Sequence, residues 1–271
     1  MGVGPYAIIG PKVSLGPGCS VGAHAVLQGR TRFGARCRIL PFASIGSDPQ
    51  DLKFKGEETD LMIGSDNTFR EFVTINRGTA GGGGVTTIGD GNFFMAYAHV
   101  AHDCHVGSQT IFANAATLAG HVDVEDFATV GAFSGVHQFC RVGRHAFIGG
   151  YTVVTQDALP FVKTVGNRAE AFGVNTIGLE RRGFSPELIQ ALKKAYRLLL
   201  QSKLQTAQAI ERIEAELPEF EECRYLVSFI RSSNRTFTFT STCFYIRGPV
   251  KGDPEQRVKR GHREDSVGGC P

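Results

Sequence analysis

The sequence predicts a mainly β protein: a parallel β-helix of hexapeptide repeats, triangular in cross-section, followed by a small α-helical C-terminal domain. Three features of the sequence lead to this prediction. An aliphatic residue or Phe recurs every six positions from Ile9 to Val154, with two interruptions. A small residue stands four positions after most of them, as Ala98 does after Phe94. Glycine is in excess, at 34 of 271 residues, and often follows the aliphatic residue directly.

Each hexad is typical of one short strand and a sharp turn, so that three hexads close a coil of about 18 residues. The aliphatic side chain points into the prism, and the small side chain fits near a corner where little volume is available. We expect Gly to supply the unusual backbone angles of the turns. Successive coils stack by parallel strand pairing about 4.8 Å apart, so each coil buries its face on its neighbours.

The prism is predicted to occupy residues 1–160. Two segments inside it, 47–62 and 80–87, do not follow the repeat because the first is polar and the second is rich in glycine. Insertions into a solenoid project from one edge as loops, and such loops commonly carry function.

The remaining chain is predicted to form a connector at 161–184, a helical domain at 185–235 and an atypical, disordered tail at 236–271. Ser185 followed by Pro186 is a helix start signal, since Ser caps helix N-termini and Pro suits the first helical position. The helices can cover the open end of the prism, whose last strand edges would otherwise be exposed. They are expected at about 186–202, 206–217 and 219–232.

Composition excludes several function classes. The net charge of +3 and the lack of interleaved aromatic and basic residues argue against nucleic-acid binding. No apolar run is long enough for a transmembrane segment, and the N-terminus does not resemble a secretory signal. Seven cysteines without a C-x-x-C pair favour reduced thiols and a cytoplasmic location.

Histidine is concentrated in one part of the repeat, where the fold itself requires none. Residues one coil apart lie above each other, so Asp103 is expected beneath His121 and His102 beneath Gly120. The adjacent pair His102 and Asp103 fits a general base with an orienting carboxylate. No Ser or Cys lies in a strained elbow, which makes a covalent nucleophile unfavoured. The concentrated histidines are His99, His102, His105, His121 and His137.

Three alternatives remain open from the residues alone. His99, His102 and His121 could bind zinc, although the first two stand at a spacing that does not point both rings one way on a tight coil. The run 81–84 is all glycine but lacks the Lys and Ser/Thr of a phosphate-binding P-loop. Arg181 and Arg182 form either a solvated basic turn or a paired clamp on a diphosphate.

Several strings of the sequence resemble one family closely. In order they are FASIGSDPQDLKFKGEET, FREFVTINRGT, AHVAHDC, NAATLAGHV, VHQF, GNRAEAFGVN and GLERRGFS. They resemble the UDP-N-acetylglucosamine O-acyltransferases of the lipid A pathway over about residues 5–235. The resemblance implies a left-handed β-helix and a homotrimer with active sites between subunits.

The resemblance also implies roles for single residues. His102 matches the general base, Asp103 the carboxylate that orients it, and the Gly120 N–H the oxyanion donor. Gly150 matches the floor of the acyl groove, where a glycine leaves room for a long chain. Other substrate-binding positions are Asp51 and Lys53 for the sugar and pantetheine, His99, His121 and Gln138 lining the site, and Asn175, Arg181 and Arg182 for UDP and the carrier arm.

The implied reaction transfers a (R)-3-hydroxyacyl chain from acyl carrier protein to the 3-hydroxyl of UDP-N-acetylglucosamine. It requires no cofactor and no metal, because the acyl chain arrives on the phosphopantetheine of the carrier. Lys193, Lys194 and Arg197 offer a basic patch for this acidic partner. The other functions that the sequence leaves open are a zinc-dependent hexapeptide-repeat carbonic anhydrase and a non-catalytic truncated homologue.

The sequence departs from the family pattern at three places. Asn76 stands where a His is expected, so a peripheral substrate contact is expected to change. The chain begins about one coil later than the family, which is expected to expose the strand edges of the first coil. The segment from Thr236 onward looks unrelated to the family.

Overall fold

The computed structural model describes residues 2–233 and Phe237, so the expected tail at 236–271 lies outside the described residues except for Phe237. The chain runs almost entirely through two- to five-residue strands. In order they are β1 (Gly2–Val3), β2 (Ile8–Ile9), β3 (Ser14–Leu15), β4 (Ser20–Val21), β5 (Val26–Leu27), β6 (Arg30–Phe33), β7 (Arg38–Ile39), β8 (Ser44–Ser47), β9 (Asp60–Ile63), β10 (Thr68–Phe69), β11 (Thr74–Asn76), β12 (Val85–Ile88), β13 (Phe93–Phe94), β14 (His99–Val100), β15 (His105–Val106), β16 (Ile111–Phe112), β17 (Thr117–Leu118), β18 (Asp123–Val124), β19 (Thr129–Val130), β20 (Gly135–Val136), β21 (Arg141–Val142), β22 (Phe147–Ile148), β23 (Val153–Val154), β24 (Val162–Val165) and β25 (Glu170–Val174).

These strands form the three faces of a left-handed parallel β-helix, as predicted. Sheet A begins with β1 and has ten strands, sheet B begins with β2 and has eight, and sheet C begins with β3 and has seven. Because the chain passes from A to B to C in every coil, it turns at three corners, which we call the A–B, B–C and C–A corners. The corner at which a residue lies determines which side chains it can meet.

The core follows the predicted two rules. Inward aromatic residues of successive coils stack on each other, with ring centroids of Phe69 and Phe94 5.1 Å apart and those of Phe94 and Phe112 4.7 Å apart. The small residues near the corners are fully buried, including Cys104 and Cys140, which are core fillers as expected.

The expectation that glycine supplies the turn angles is wrong for most corners. The residue with positive φ is the third after the inward one, and it is usually not glycine: φ is 57° at Asp103, 60° at His121 and 63° at Phe139. This strain, about 1–2 kcal/mol per residue, is offset by contacts between equivalent residues of neighbouring coils. Gly131 keeps an ordinary φ and is required for a different reason, since a Cβ there would lie 2.5 Å from the carbonyl oxygen of Ile148 on the next coil.

The first interruption is shorter than expected, and the second lies three residues earlier than expected. Residues 60–62 belong to β9 and residues 85–87 to β12, and the two strands pair in parallel along their whole length. Leu61 and Thr86 are fully buried, because each alternates inward from its strand. The segments that project at the B–C corner are therefore 48–59 and 77–84.

The prism is closed at its C-terminal end by a β-hairpin and helices. Sheet A continues past Pro160 through β24, and β25 pairs with it antiparallel, so the segment expected as a connector contains regular structure. The hydroxyl of Tyr196 donates to the carbonyl oxygen of Ala171, which fixes the helices on the hairpin. The helices are α1 (Thr176–Arg181), which was not expected, α2 (Pro186–Leu200), α3 (Thr206–Glu216) and α4 (Glu221–Arg231).

Ser185 caps α2 as predicted, with its hydroxyl accepting from the N–H of Leu188 at 3.2 Å. Among the described residues, no helix combines the length and the apolar character needed to cross a membrane.

Aromatic side chains form an exposed column along the A–B corner, stacked between successive coils at 4.9–5.2 Å. Tyr6 is 79% exposed and Tyr97 60% exposed, although both rings offer apolar faces. We call this the A–B aromatic column. Its members in order are Tyr6, His24, Phe42, Phe72 and Tyr97, and Phe133 and Tyr151 form a further stacked pair at the same corner.

Substituting Gly131→Ala is expected to destabilise the prism by about 1–3 kcal/mol, because the new Cβ would meet the backbone of the next coil. Gly135→Ala is the matched control, since no atom lies within 4 Å of a Cβ built there. Denaturant midpoints of the two variants measure the difference. Equal midpoints would contradict the close-approach explanation.

Candidate active site

The B–C corner gathers the residues that the sequence analysis assigned to catalysis. His102 and Asp103 follow β14, and Gly120 and His121 follow β17, whose strands pair in register. The N–H of His121 donates to the carbonyl oxygen of His102 at 3.1 Å, which locks the two turns above each other. The expected stacking of Asp103 beneath His121 and His102 beneath Gly120 is therefore present.

His102 and Asp103 form a hydrogen-bonded pair. The Nδ1 atom of His102 lies 2.8 Å from Oδ2 of Asp103, and the exposed fraction of the two side chains is 14% and 0%. An ionised carboxylate can only accept, so Nδ1 carries the proton and Nε2 holds a lone pair. The geometry therefore prepares Nε2 of His102 to take a proton from a substrate.

The Asp103 carboxylate is kept ionised despite its burial. Burial alone would raise its pKa, but hydrogen bonds from Thr79 and His102 and the charge of His121 outweigh burial and lower the pKa. The N–H of Thr79 donates to Oδ1 at 2.7 Å, and its hydroxyl donates to Oδ2 at 2.6 Å. The charged carboxylate holds the imidazole of His102 in one tautomer and one orientation.

Gly120 packs directly on the His102 ring. A Cβ on Gly120 would lie 2.6 Å from Cε1 and 2.8 Å from Nε2 of His102, so any larger residue would displace the imidazole. Within residues 2–233, the N–H of Gly120 has no hydrogen-bond acceptor. The backbone of Gly120 thus lies against the His102 ring, and a backbone N–H is the type of donor that an oxyanion requires.

The expected lining residues surround this pair. His121 stacks on Phe139 with ring centroids 4.5 Å apart, and its Nε2 lies 3.7 Å from Oδ2 of Asp103. His99 lies on sheet B, where its Nδ1 forms a 2.7 Å hydrogen bond with the hydroxyl of Thr74. Burial and the nearby charge of His102 lower the pKa of His99. Gln138 lies exposed on the next coil of the same corner.

The five histidines do not all share one edge. His105 lies on sheet C, exposed and hydrogen-bonded to the hydroxyl of Thr87 at 2.8 Å. His137 is at the B–C corner but is exposed, with Nδ1 near the carbonyl oxygen of Gln138. Because a hexad turns the chain by a third of a coil, His105 points away from the pair formed by His102 and Asp103.

His99, His102 and His121 do not form the three-histidine zinc site that the sequence left open. Among the described residues, the group of potential metal ligands within 4.8 Å of one another is that of His102, Asp103 and His121. His99 bonds to Thr74 instead, and Nδ1 of His102 is already bonded to Asp103. The hydrogen bond between Nδ1 of His102 and Asp103 orients the ring and leaves Nε2 available, which suits proton transfer.

The loop that carries Asp51 and Lys53 projects from the same corner. The Lys53 N–H donates to Oδ1 of Asp51 at 2.9 Å, and the Lys53 side chain is exposed. Arg77 forms an ion pair with Asp48 at the base of the loop. Asn76, where the family pattern has His, is 2% exposed and donates to the carbonyl oxygen of Asp48 at 2.8 Å. Asn76 therefore supports the loop.

The other predicted binding residues lie at different corners. Gly150 is at the A–B corner, where a Cβ would meet a single atom within 4 Å, the carbonyl oxygen of Ala132 at 3.3 Å. Asn175 joins the C–A corner by donating to the carbonyl oxygen of His145 at 3.1 Å.

Arg182 also lies at the C–A corner. Its guanidinium lies 4.4 Å from the ring centroid of Phe127 and donates to the carbonyl oxygen of Gln109 at 3.4 Å. Arg181 is exposed beside it, at the end of α1. The expected site residues of one chain thus lie at three different corners of the prism.

Sequence reasoning missed Thr79, Thr74 and Arg77, which hold the Asp103 carboxylate, His99 and the projecting loop respectively. All three are in or just before the segments where the repeat is interrupted. The interruption itself was the available signal, but it does not indicate which side chains turn inward.

Comparison with known proteins agrees with the geometry. Over 233 residues the chain is 50% identical to the acyl-[acyl-carrier-protein]--UDP-N-acetylglucosamine O-acyltransferase of Thermodesulfovibrio yellowstonii, covering 86% of this chain and 90% of the relative. A relative of the same name from Xylella fastidiosa is 46% identical, covering 85% and 95% of the two chains.

The solved structure of LpxA from Acinetobacter baumannii aligns with a TM-score of 0.84 and 43% identity, covering 87% of this chain and 92% of that chain. Residues 157–238 match the family described as Udp N-acetylglucosamine O-acyltransferase, Domain 2. The chain belongs to the UDP-N-acetylglucosamine O-acyltransferase family.

Proposed function

We propose that the protein transfers a (R)-3-hydroxyacyl chain from acyl carrier protein to the 3-hydroxyl of UDP-N-acetylglucosamine, the first step of lipid A biosynthesis. The observation that carries the proposal is the His102–Asp103 pair packed beneath Gly120. The chain that holds it is 50% identical to a protein named acyl-[acyl-carrier-protein]--UDP-N-acetylglucosamine O-acyltransferase. The site supplies one base, one carboxylate and one N–H donor, which suffice to transfer an acyl group from a thioester to a hydroxyl.

The proposed mechanism is direct attack. Nε2 of His102 removes the proton from the sugar hydroxyl while the hydroxyl oxygen bonds to the carbonyl carbon of the thioester. The carbonyl oxygen becomes an oxyanion and accepts from the N–H of Gly120. The carbon–sulfur bond then breaks, and the leaving thiolate takes the proton back from His102. Asp103 stabilises the imidazolium in between, and no acyl group is bonded to the protein.

The distribution of the site supports a homotrimer with active sites between chains. His102 lies at the B–C corner, Gly150 at the A–B corner and Arg182 at the C–A corner, so a single prism does not bring them together. Parallel prisms packed side by side would place corners of different chains next to each other. The A–B aromatic column is an exposed apolar surface of the type that contact between subunits covers.

Acyl carrier protein is the proposed partner, and α2 is the proposed docking element. Arg197 is exposed on α2, whereas Lys194 pairs with Glu216 at 2.8 Å and is partly neutralised. The patch is therefore weaker than its three basic residues alone suggest. We propose a cytoplasmic location, as the sequence predicts from its cysteine usage.

Replacing His102 by Ala is expected to lower kcat for acyl transfer by about 10²–10⁴-fold, because the base is lost. The measurement is transfer of a 3-hydroxyacyl group from acyl carrier protein to UDP-N-acetylglucosamine. His105→Ala is the matched control and is expected to retain activity, since His105 lies on sheet C. Full activity of the His102 variant would contradict the mechanism. Stoichiometric zinc in a purified protein that transfers no acyl group would favour the carbonic anhydrase alternative.

A long acyl chain is the expected preference, because Gly150 leaves open space at its corner. Gly150→Met is expected to shift the preference toward shorter donors, since its side chain would fill that space. A series of acyl chain lengths measures kcat/KM for both proteins. Preference of the unmodified protein for a chain as short as ten carbons would overturn the assignment.

Co-expressed variants test the site between chains. His102→Ala and Arg182→Ala are each expected to lose most activity alone, but mixed trimers should recover about a quarter of their sites, because some sites take each residue from an intact chain. His102→Ala mixed with Asp103→Ala is the control and should stay inactive, since both residues come from one corner. Absence of recovery in the first mixture would place the site within one chain.

A further inference from the structure

Thr79 makes more contacts to the catalytic pair than its position in a loop suggests. It is 8% exposed and uses two donors on Asp103: the N–H on Oδ1 and the hydroxyl on Oδ2. The hydroxyl also accepts from the N–H of Gly82 at 3.1 Å, so its donor is directed onto the carboxylate. The same oxygen Oδ2 accepts from Nδ1 of His102 at 2.8 Å. Thr79 thereby fixes where that oxygen lies.

The glycine run after Thr79 closes over the carboxylate. A short 3-10 turn, Ala80–Gly82, follows Thr79. A Cβ on Gly82 would lie 2.1–2.4 Å from the carboxylate atoms of Asp103, so only glycine allows the turn to approach this closely. The N–H of Gly84 donates back to the carbonyl oxygen of Thr79 at 2.8 Å, which closes the turn on itself.

The opposite side of Asp103 is fixed as well. Its N–H donates to the hydroxyl of Thr86, which is fully buried, at 2.8 Å. The titratable groups that face the carboxylate are His102, His121 and Cys104, and burial raises the pKa of the Cys104 thiol to about 12. Residues 79–84 have no titratable side chain, so this insertion holds the carboxylate by neutral hydrogen bonds alone.

We infer that Thr79, held by the 79–84 turn, is a positioning residue that keeps the Asp103 carboxylate aligned on His102, and that Gly82 allows this turn to close. The inference rests on the proposed acyltransferase function. It gives the glycine-rich interruption a role different from phosphate binding. Thr79 acts through Asp103 and touches neither substrate.

The inference determines the sign of a pH effect. Without the Thr79 hydroxyl, the Asp103 carboxylate loses one hydrogen-bond donor and its negative charge is less stabilised. The His102–Asp103 pair then binds a further proton more tightly. The apparent pKa of the pair then rises, whichever residue carries the proton. On acidification, a variant without the Thr79 hydroxyl should therefore lose activity at a higher pH than the unmodified protein does.

Thr79→Val tests this directly, since Val keeps the branched shape but has no donor. The expected result is a fall in kcat of about 10- to 100-fold with KM for UDP-N-acetylglucosamine nearly unchanged, and an acid limb of kcat/KM moved to higher pH. Thr79→Ser, which restores the hydroxyl, is expected to restore both kcat and the pH profile. Unchanged kcat and an unchanged profile in a folded Thr79→Val protein would overturn the inference.

A second pair of variants separates positioning from folding. Gly82→Ala keeps Thr79 but forces a Cβ against the carboxylate, and should lower kcat, whereas Gly81→Ala has open space and should not. Equal activity of the two proteins would contradict the closure of the turn on Asp103. If the unmodified protein transfers no acyl group, the proposed function itself fails; if it does and the Thr79 and Gly82 variants match it, only the positioning role fails.

Discussion

Backbone hydrogen bonding between successive coils is the constraint on which the rest of the structure depends. Strand residues donate to the next coil, as the N–H of His99 does to the carbonyl oxygen of Ala116, and corner residues donate back to the previous coil, as the N–H of His121 does to the carbonyl oxygen of His102. Two-residue strands have little stability of their own, so register must be preserved at every coil. This register places a side chain of one coil above the equivalent side chain of the previous coil. The arrangement of His102 and Asp103 beneath Gly120 and His121 is a consequence of that stacking.

The turn geometry that register imposes also serves the chemistry. Asp103 occupies the left-handed corner position, and short polar residues adopt that conformation more readily than others. Its carboxylate can then reach back to the ring of the preceding residue, His102, and up to His121. The 79–84 insertion excludes solvent from the carboxylate and replaces water with two donors of Thr79. Burial that would otherwise neutralise the carboxylate instead makes it a stronger hydrogen-bond acceptor, because its donors are fixed.

The three-sided cross-section separates functions that a reaction has to combine. His102, the proposed base, is at the B–C corner, Gly150 is at the A–B corner, and the cationic Arg182 is held at the C–A corner by the Phe127 ring and a backbone carbonyl. A solenoid cannot fold back to unite its corners. Association of prisms is the direct way to unite them, and the A–B aromatic column offers an apolar contact surface for it.

The hexad period by itself determined the prism, its inward residues and the stacking of His102, Asp103, Gly120 and His121. This was possible because a strict repeat converts sequence separation into position. Tertiary structure alone decided the roles of Thr79, Asn76 and Arg77, since they lie where the repeat is interrupted and register carries no information there. It also decided the role of the excess glycine. A Cβ at Gly131 would clash with the backbone of the neighbouring coil, and a Cβ at Gly82 would clash with the Asp103 carboxylate. Neither neighbour is close in sequence.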